Sequence, residues 1–89
     1  MNLFDVYPLY NVTPVSAKGI VVTDDKGQKY LDFYGGHAVI SIGHSHPHYV
    51  RRIKEQLDQI GFYSNAIQNP LQSELAEKLG KLSNCEDYN

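Results

Sequence analysis

Residues 30–47 read Tyr-Leu-Asp-Phe-Tyr-Gly-Gly-His-Ala-Val-Ile-Ser-Ile-Gly-His-Ser-His-Pro, and this stretch decides the fold. It opens as a β-strand, because its aromatic residues favour extended backbone and Leu31 and Phe33 fall on one side of a pleat. Gly35 and Gly36 follow, which lack a Cβ and allow positive φ or the close approach of another group. After an apolar run at 38–42, a helix starts near Pro47. A strand, two glycines without side chains and a helix N-terminus together predict one wall of a small-molecule pocket.

The length and composition fit one small soluble globular domain. A chain of 89 residues buries only about 60% of its unfolded surface or slightly more. The 42% hydrophobic and 20% charged fractions are ordinary for such a domain. A net charge of −2 and the absence of a long Lys/Arg run give no general attraction for nucleic acid or anionic membranes. We therefore expect neither nucleic acid nor a membrane as a partner.

The N-terminal residues and the single cysteine indicate a cytoplasmic protein. The N-terminus lacks the basic start and apolar core of a signal peptide. The longest apolar runs are far shorter than the roughly 20 residues that a membrane span needs. Cys85 is alone, so an internal disulfide is excluded and a reducing compartment is the simplest expectation.

The first half of the chain predicts an antiparallel sheet preceded by an arm. Residues 1–14 mix aromatics with two prolines and predict an irregular N-terminal arm that needs a surface to pack against. Residues 19–23 and 28–34 predict a β-hairpin, because Asp24-Asp25-Lys26-Gly27 carries the residues of a turn. The expected fold class is α+β: a small antiparallel β-sheet, formed by this hairpin and a short third strand, followed by two helices.

Helical spacing predicts those two helices. The first spans 47–60, with Pro47 in its first turn, Ser45 or His46 as its cap and Gly61 just past its end. The second begins at Asn69-Pro70. Glu74–Lys78 and Glu77–Lys81 are expected ion pairs at i,i+4, and Arg51-Arg52 is expected on a solvated helix face. The predicted apolar stripes are Val50, Ile53, Leu57 and Ile60 in the first helix, and Leu71, Leu75, Leu79 and Leu82 in the second.

Four histidines, at positions 37, 44, 46 and 48, are candidates for chemistry. On an extended strand the last three would share one face, as a metal site requires. Pro47 starts a helix among them, so their side chains should fan out, and neither Cys85 nor a carboxylate lies close in sequence to complete a tetrahedral set. Capping and hydrogen bonding are the favoured interpretation. Asp32 is interpreted as a surface strand residue, and the glycine pair, which is no phosphate loop, as a pocket wall or only a β-bulge.

The same residues resemble the opening of class III pyridoxal-phosphate aminotransferases. Tyr63-Ser64-Asn65, Pro70 and the run at 75–79 continue the pattern in register, so the resemblance spans nearly the whole chain. The motif positions that match are Gly19, Asp24, Gly27, Tyr30-Leu31-Asp32-Phe33, Gly36, Ala38-Val39, Gly43-His44 and His46-Pro47.

Within that class the chain is similar to acetylornithine aminotransferases and their N-succinylornithine-using relatives. The resemblance implies exchange of an amino group between N-acyl-ornithine and 2-oxoglutarate in arginine biosynthesis, with pyridoxal 5'-phosphate as cofactor and a homodimer as the assembly. It also implies substrate contacts at Gly36, His37, Ser64 and Asn65. Ornithine aminotransferases place a tyrosine at the position of Gly36, so the glycine leaves room for an acylated amino group.

The resemblance further implies that residues 15–89 are the N-terminal part of the small domain of a fold-type I transferase, leading toward a large domain. None of the six lysines matches the family lysine that holds the coenzyme, and the family's phosphate-binding segment would begin just beyond residue 89. We therefore expect the 89 residues alone to contain no catalytic residue, to be inactive and to bind no coenzyme.

Two other classes of protein stay open from the sequence. A stand-alone α+β binding module would require a closed core and cooperative unfolding. A histidine-based metal binder would take up zinc through His44 and His46. By contrast, a segment of a larger enzyme would leave apolar surface without a partner, so that the isolated chain would form oligomers or its residues 1–14 would pack on a neighbour.

Overall fold

The computed structural model describes Phe4 and residues 6–87, and the chain divides into two compact units, Met1–Asp58 and Gln59–Asn89. A small antiparallel sheet and helices are present, as the sequence predicts. The elements in order are β1 (Pro14–Lys18), β2 (Val21–Asp24), β3 (Lys29–Leu31), α1 (Gly35–Ala38), α2 (Pro47–Gln59) and α3 (Pro70–Ser83).

The predicted hairpin is formed by β2 and β3, and the strand order of the sheet is β1-β2-β3 with both pairs antiparallel, so β2 is the central strand. Its turn is built by Asp24, whose carboxylate accepts hydrogen bonds from the N–H groups of Lys26 (2.9 Å) and Gln28 (2.8 Å) and from the Tyr30 hydroxyl (2.9 Å). Gly27 takes the positive φ of +80° that the turn requires. Burial of Asp24 opposes its ionisation, but these hydrogen bonds lower its pKa below the usual 3.8.

Three predicted boundaries in the sheet are wrong. The third strand is β1, which begins at Pro14 and so overlaps the predicted arm. The other described residues of that arm form no strand or helix. β2 begins at Val21, because Gly19 pairs with His44 instead. β3 ends at Leu31, so Phe33 lies outside the pleat and is 95% exposed. Residues 1–3 and 5 of the arm lie outside the described residues.

Both long helices begin where the sequence predicts. At α2 the N–H of His48 donates to Nδ1 of His46 (3.2 Å), so His46 is the cap. The other candidate cap, Ser45, donates its hydroxyl to the carbonyl oxygen of Ala17 (2.8 Å). At α3 the side-chain oxygen of Asn69 accepts from the N–H of Leu71 (3.1 Å). The predicted i,i+4 pairs Glu74–Lys78 and Glu77–Lys81 both form, with N–O distances of 2.6 Å.

The apolar stripes of these helices remain largely exposed. Among the described residues no hydrophobic side chain is buried, and the only buried polar side chain is Asp24. Leu57 in α2 is 63% exposed and Leu82 in α3 is 84% exposed. A stand-alone binding module would need a closed core, which these residues do not form. Within the part of the chain that the structure describes, no helix combines the length and apolar character needed to cross a membrane.

Candidate functional site

The candidate site is the loop between β3 and α2, whose two ends are tied to the sheet. At its start, the N–H of Asp32 donates to the carbonyl oxygen of Ile20 (2.7 Å). At its end, His44 and Gly19 exchange two backbone hydrogen bonds of 3.0 and 2.9 Å. The two ends also meet through their side chains, because His44 Nε2 lies 2.5 Å from a carboxylate oxygen of Asp32. We call this contact the Asp32–His44 clamp.

Asp32 is also a hydrogen-bond acceptor for the backbone inside the loop. Its other carboxylate oxygen accepts from the N–H of Tyr34 (2.9 Å) and of Gly35 (2.8 Å). The hydrogen bond with His44, followed by those from Gly35 and Tyr34, lowers the pKa of Asp32 from 3.8 to about 2. The carboxylate is therefore ionised at neutral pH, which suits a fixed acceptor and not a proton donor. The interpretation of Asp32 as a surface strand residue is wrong, because its side chain is only 14% exposed.

Inside the loop, α1 is a single left-handed turn. Its four residues, Gly35, Gly36, His37 and Ala38, have φ values of 60°, 61°, 62° and 61°. The N–H groups of Ala38 and Val39 donate to the carbonyl oxygens of Tyr34 and Gly35, both at 3.0 Å. The glycine pair is thus neither extended nor a β-bulge. Left-handed backbone costs an L-residue other than glycine roughly 1–2 kcal/mol, so His37 and Ala38 are held here against their own preference.

The turn brings the side chain of His37 against Tyr34. The Tyr34 hydroxyl lies 2.7 Å from His37 Nδ1, and the two rings meet edge to face with centroids 4.9 Å apart. Both side chains are exposed. One ring nitrogen of His37 therefore has a fixed partner on the chain, whereas the other, Nε2, has no hydrogen bond within residues 4 and 6–87. This arrangement can present a hydrogen-bonding group to a ligand in a defined direction.

A groove with a volume of about 480 Å³ runs along the sheet next to this turn. Most of its lining side chains are apolar or aromatic, which suits an aliphatic ligand chain. A Cβ added at Gly36 would meet no atom within 4 Å, so the groove is open there. The lining residues are Val12, Pro14, Val15, Ser16, Ala17, Val22, Tyr30, Leu31, Asp32, Tyr34, Gly36 and His44.

The groove does not fit a pyridoxal phosphate group. No lysine or arginine is among the described residues that line it, so it offers neither an amine for covalent attachment nor a cation for the phosphate. Its one carboxylate, Asp32, carries the same sign of charge as a phosphate. These residues suit the substrate side of a site, and no chemical step of the coenzyme is assigned to them.

The other two predicted substrate residues, Ser64 and Asn65, lie in the second unit. The Ser64 hydroxyl accepts a hydrogen bond from the N–H of Ala66 (3.1 Å), and the Ser64 carbonyl oxygen accepts one from the N–H of Ile67 (3.2 Å). Asn65 lies in the turn that these bonds close. Gly36 and His37 are adjacent on the left-handed turn of the first unit, so the predicted residues form two local groups.

The predicted fanning out of the three later histidines is confirmed. His44 contacts Asp32, His46 caps α2, and His48 Nδ1 lies 2.9 Å from the guanidinium of Arg51. Among the described residues, no group of three or more His, Cys, Asp or Glu side chains is placed to hold a metal ion.

Sequence reasoning missed the Asp32–His44 clamp and the Tyr34–His37 contact. A local signal for the first was present, because an aspartate followed three residues later by glycine is typical of a turn in which the carboxylate accepts nearby N–H groups. No comparable local signal indicates the second contact, which depends on the left-handed backbone.

Comparison with known proteins supplies the family. Residues 6–88 match the family described as aminotransferase class-III. The chain belongs to this family. It is 41% identical over 78 residues to the acetylornithine aminotransferase of Bacillus amyloliquefaciens, covering 88% of this chain and 34% of that protein. It is 40% identical over 79 residues to the acetylornithine aminotransferase of Aquifex aeolicus (strain VF5), covering 89% of this chain and 21% of that protein.

Solved structures of an acetylornithine aminotransferase and an ornithine aminotransferase share the fold of this chain. The crystal structure of acetylornithine aminotransferase from Elizabethkingia anophelis matches with a TM-score of 0.81 and 31% identity, over 86% of this chain and 20% of that one. An ornithine aminotransferase from Toxoplasma gondii ME49 matches with a TM-score of 0.81 at 24% identity, which shows the fold alone, over 90% of this chain and 19% of that one. The chain thus spans 19% to 34% of the length of these relatives.

Proposed function

We propose that this chain contributes the substrate-side wall of a pyridoxal 5'-phosphate-dependent acetylornithine or N-succinylornithine aminotransferase. The parent enzyme would exchange an amino group between N-acyl-ornithine and 2-oxoglutarate, in arginine biosynthesis, as a cytoplasmic homodimer. The observation that carries the proposal is the family match over residues 6–88. The 41% identity to a protein named acetylornithine aminotransferase supports the choice of substrate class.

In this proposal the chain binds and orients substrate and leaves the coenzyme to other parts of the parent enzyme. The groove supplies apolar walls for the methylene chain of the ornithine derivative, Gly36 is one of its lining residues, and His37 is the next residue along the chain. Ser64 and Asn65 supply further substrate contacts. The absence of lysine and arginine from the described groove lining supports this division of labour. Residues 1–14 are assigned to an N-terminal arm and residues 15–89 to part of the small domain.

The preference for an acylated substrate is assigned to the space at Gly36. A side chain there would begin with a Cβ that meets no atom within 4 Å, so a large residue would extend into open volume that a substrate could otherwise occupy. An acyl group on the α-amino nitrogen needs such volume, whereas free ornithine does not.

The test measures kcat/KM of the parent enzyme with N-acetylornithine, N-succinylornithine and ornithine, each with 2-oxoglutarate. Gly36→Tyr should lower kcat/KM for both acylated substrates at least about 10-fold more than for ornithine, because a filled pocket excludes the larger group. Gly36→Ala is the matched control, since it adds the same backbone strain at φ +61° without the bulk. Its ratio of acylated to free substrate should stay near that of the wild type.

Two outcomes contradict the proposal. A wild-type enzyme that turns over ornithine faster than either acylated substrate would refute the substrate class. Equal losses for all three substrates in Gly36→Tyr, matched by Gly36→Ala, would show that only the backbone at this position matters.

A further inference from the structure

We propose that Tyr34 is a positioning residue that holds His37 in the tautomer with its proton on Nε2, so that His37 donates a hydrogen bond to the acyl carbonyl oxygen of the substrate. This inference rests on the proposed function, because it specifies how the same site recognises the acyl group. It assigns a role to Tyr34, and it assigns a specific atom of His37 to substrate selection.

The backbone around His37 is fixed from several directions. Asp32 accepts hydrogen bonds from the N–H groups of Tyr34 and Gly35, the two residues that lead into the left-handed turn. The turn is closed by the hydrogen bond from the N–H of Val39 to the carbonyl oxygen of Gly35 (3.0 Å). The Asp32–His44 clamp then joins the two ends of the loop. Through these contacts, the direction in which His37 leaves the backbone is set by the sheet.

The Tyr34 hydroxyl then fixes the ring. The hydroxyl oxygen lies 2.7 Å from Nδ1 and forms a hydrogen bond with it. Which of the two groups donates depends on which ring nitrogen carries the proton. A phenol hydroxyl that donates to Nδ1 leaves the ring proton on Nε2, and this is the assignment that we make. The edge-to-face contact between the two rings also restricts rotation of the imidazole. Nε2 then carries an N–H donor, to which the structure gives no partner within the described residues.

An N–H donor at this place selects by hydrogen-bonding capacity. An amide carbonyl oxygen accepts a hydrogen bond from an imidazole N–H, whereas the α-ammonium group of ornithine carries only donors and leaves it unpaired. Sites that bind a polar group of the substrate discriminate strongly against analogues that lack it. Gly36, which precedes His37 in the chain, and Tyr34, whose hydroxyl contacts its Nδ1, both line the groove, so the imidazole is held next to the volume assigned to the acyl group.

Several polar side chains around the groove are already engaged with the chain itself. The Asp32 carboxylate is bound by His44 and by two backbone N–H groups, and the Tyr30 hydroxyl donates to Asp24. An acyl carbonyl that enters the groove can therefore accept from the Ser16 hydroxyl, which lines it, or from the imidazole of His37. We assign the role to His37 because Tyr34, itself a lining residue, holds its ring through Nδ1.

The kinetic test uses the parent enzyme and reports the selectivity, defined as kcat/KM for N-acetylornithine divided by that for ornithine. Tyr34→Phe and His37→Leu should each lower the selectivity about 2- to 12-fold, the range expected for one hydrogen bond, through a higher KM for the acylated substrate. His37→Gln keeps a side-chain N–H donor and should retain more of the selectivity than His37→Leu. In the His37→Gln background, adding Tyr34→Phe should have no further effect, because the imidazole that Tyr34 orients is gone.

A second readout observes the ring itself. Nitrogen-15 NMR of histidine-labelled protein should show His37 of the wild type with a protonated Nε2 and an accepting Nδ1, and Tyr34→Phe should shift this population toward the other tautomer. If Tyr34 had only a structural role, Tyr34→Phe would not change the tautomer of His37 in a protein that keeps its fold. The far-UV circular dichroism of each variant checks that the fold is retained.

The outcomes separate this inference from the function on which it rests. A wild-type enzyme that does not turn over N-acyl-ornithine overturns both. A wild-type enzyme that does so, with unchanged selectivity in Tyr34→Phe and His37→Leu, overturns the inference alone. So does a His37 tautomer that is the same with and without the Tyr34 hydroxyl. Reduced selectivity in both variants, together with a tautomer shift in Tyr34→Phe, supports it.

Discussion

At the scale of single residues, Asp32 connects the sheet to the loop that carries Gly36 and His37. Its carboxylate is shared by three donors, from His44, Tyr34 and Gly35, and each donor favours the ionised form. The consequence is a pKa of about 2 in the folded chain, compared with 3.8 for an unperturbed aspartate. The clamp therefore depends on the charge of Asp32.

This dependence predicts how pH acts on the loop. Because the folded pKa of Asp32 lies below its unfolded value, the clamp adds stability that is fully present above pH 3.8 and is lost as the pH falls through about 2. Hydrogen-exchange protection of the Tyr34 and Gly35 amides, corrected for intrinsic exchange, should decline over that window. Asp32→Asn should lower this protection at neutral pH and remove most of its decline in acid.

Asp25→Asn is the matched control for this prediction. It removes one carboxylate from the hairpin turn, outside the clamp, and should leave the protection of Tyr34 and Gly35 unchanged. Equal effects of the two substitutions would mean that the general loss of negative charge, and not the clamp, governs the loop.

Residue by residue, local chemistry was predictable and distant contacts were not. The turn that follows Asp24 was correctly predicted because the partners of its carboxylate, Lys26 and Gln28, follow within four residues. Asp32 was misjudged because its main partner, His44, is twelve residues away and reaches it only after the backbone of His44 pairs with Gly19. Side-chain periodicity carries no information about such a closure.

At the scale of elements, the left-handed turn α1 is the least expected part of the fold. Two glycines favour it, but His37 and Ala38 each bear the cost of positive φ. Such strain persists only where surrounding contacts determine the backbone, and here the hydrogen bonds to Asp32 and within the turn do so. Relieving the strain at a position that bears no assigned function should therefore stabilise the turn.

Substitution of alanine by glycine should stabilise the left-handed turn and destabilise α3. Ala38→Gly removes a Cβ from a left-handed residue and should stabilise the turn by up to about 1 kcal/mol, which is seen as an increase of up to about 5-fold in exchange protection of the Val39 and Ile40 amides. Ala76→Gly, in the middle of α3, should destabilise that helix by about 1 kcal/mol and lower the protection of its central amides. A loss of protection in both variants would show that the turn is not strained at Ala38.

The two long helices were predicted to within one residue of their observed starts and, for α2, of its end. Their signals are local: proline in the first turn, a capping side chain and apolar residues at helical spacing. The strand β1 was missed because its sequence, Pro-Val-Ser-Ala-Lys, has little strand propensity of its own. It is a strand because it pairs with β2 over Ser16–Thr23, Ala17–Val22 and Lys18–Val21.

At the scale of the whole molecule, the apolar faces of the helices are largely exposed in the part of the chain that the structure describes. In α2, Ile53 is 45% and Leu57 is 63% exposed, and in α3, Leu75 and Leu79 are 57% and 56% exposed. Each buried Å² of such surface contributes about 25 cal/mol, so faces of this kind favour association. The proposal of a larger parent enzyme accounts for them, because its remaining residues would cover them.

The 89-residue chain studied alone should consequently form oligomers, and the α2 stripe offers a way to test which surface is responsible. Leu57→Lys places a charge within the stripe, whereas Gln59→Lys places the same charge on the opposite side of the same helix. Light scattering over a range of concentrations should show self-association of the wild type and of Gln59→Lys, and a marked reduction in Leu57→Lys. If the wild type is a monomer at high concentration, these faces do not drive association. If both variants reduce self-association equally, the added charge, and not the apolar face of α2, is responsible for the reduction.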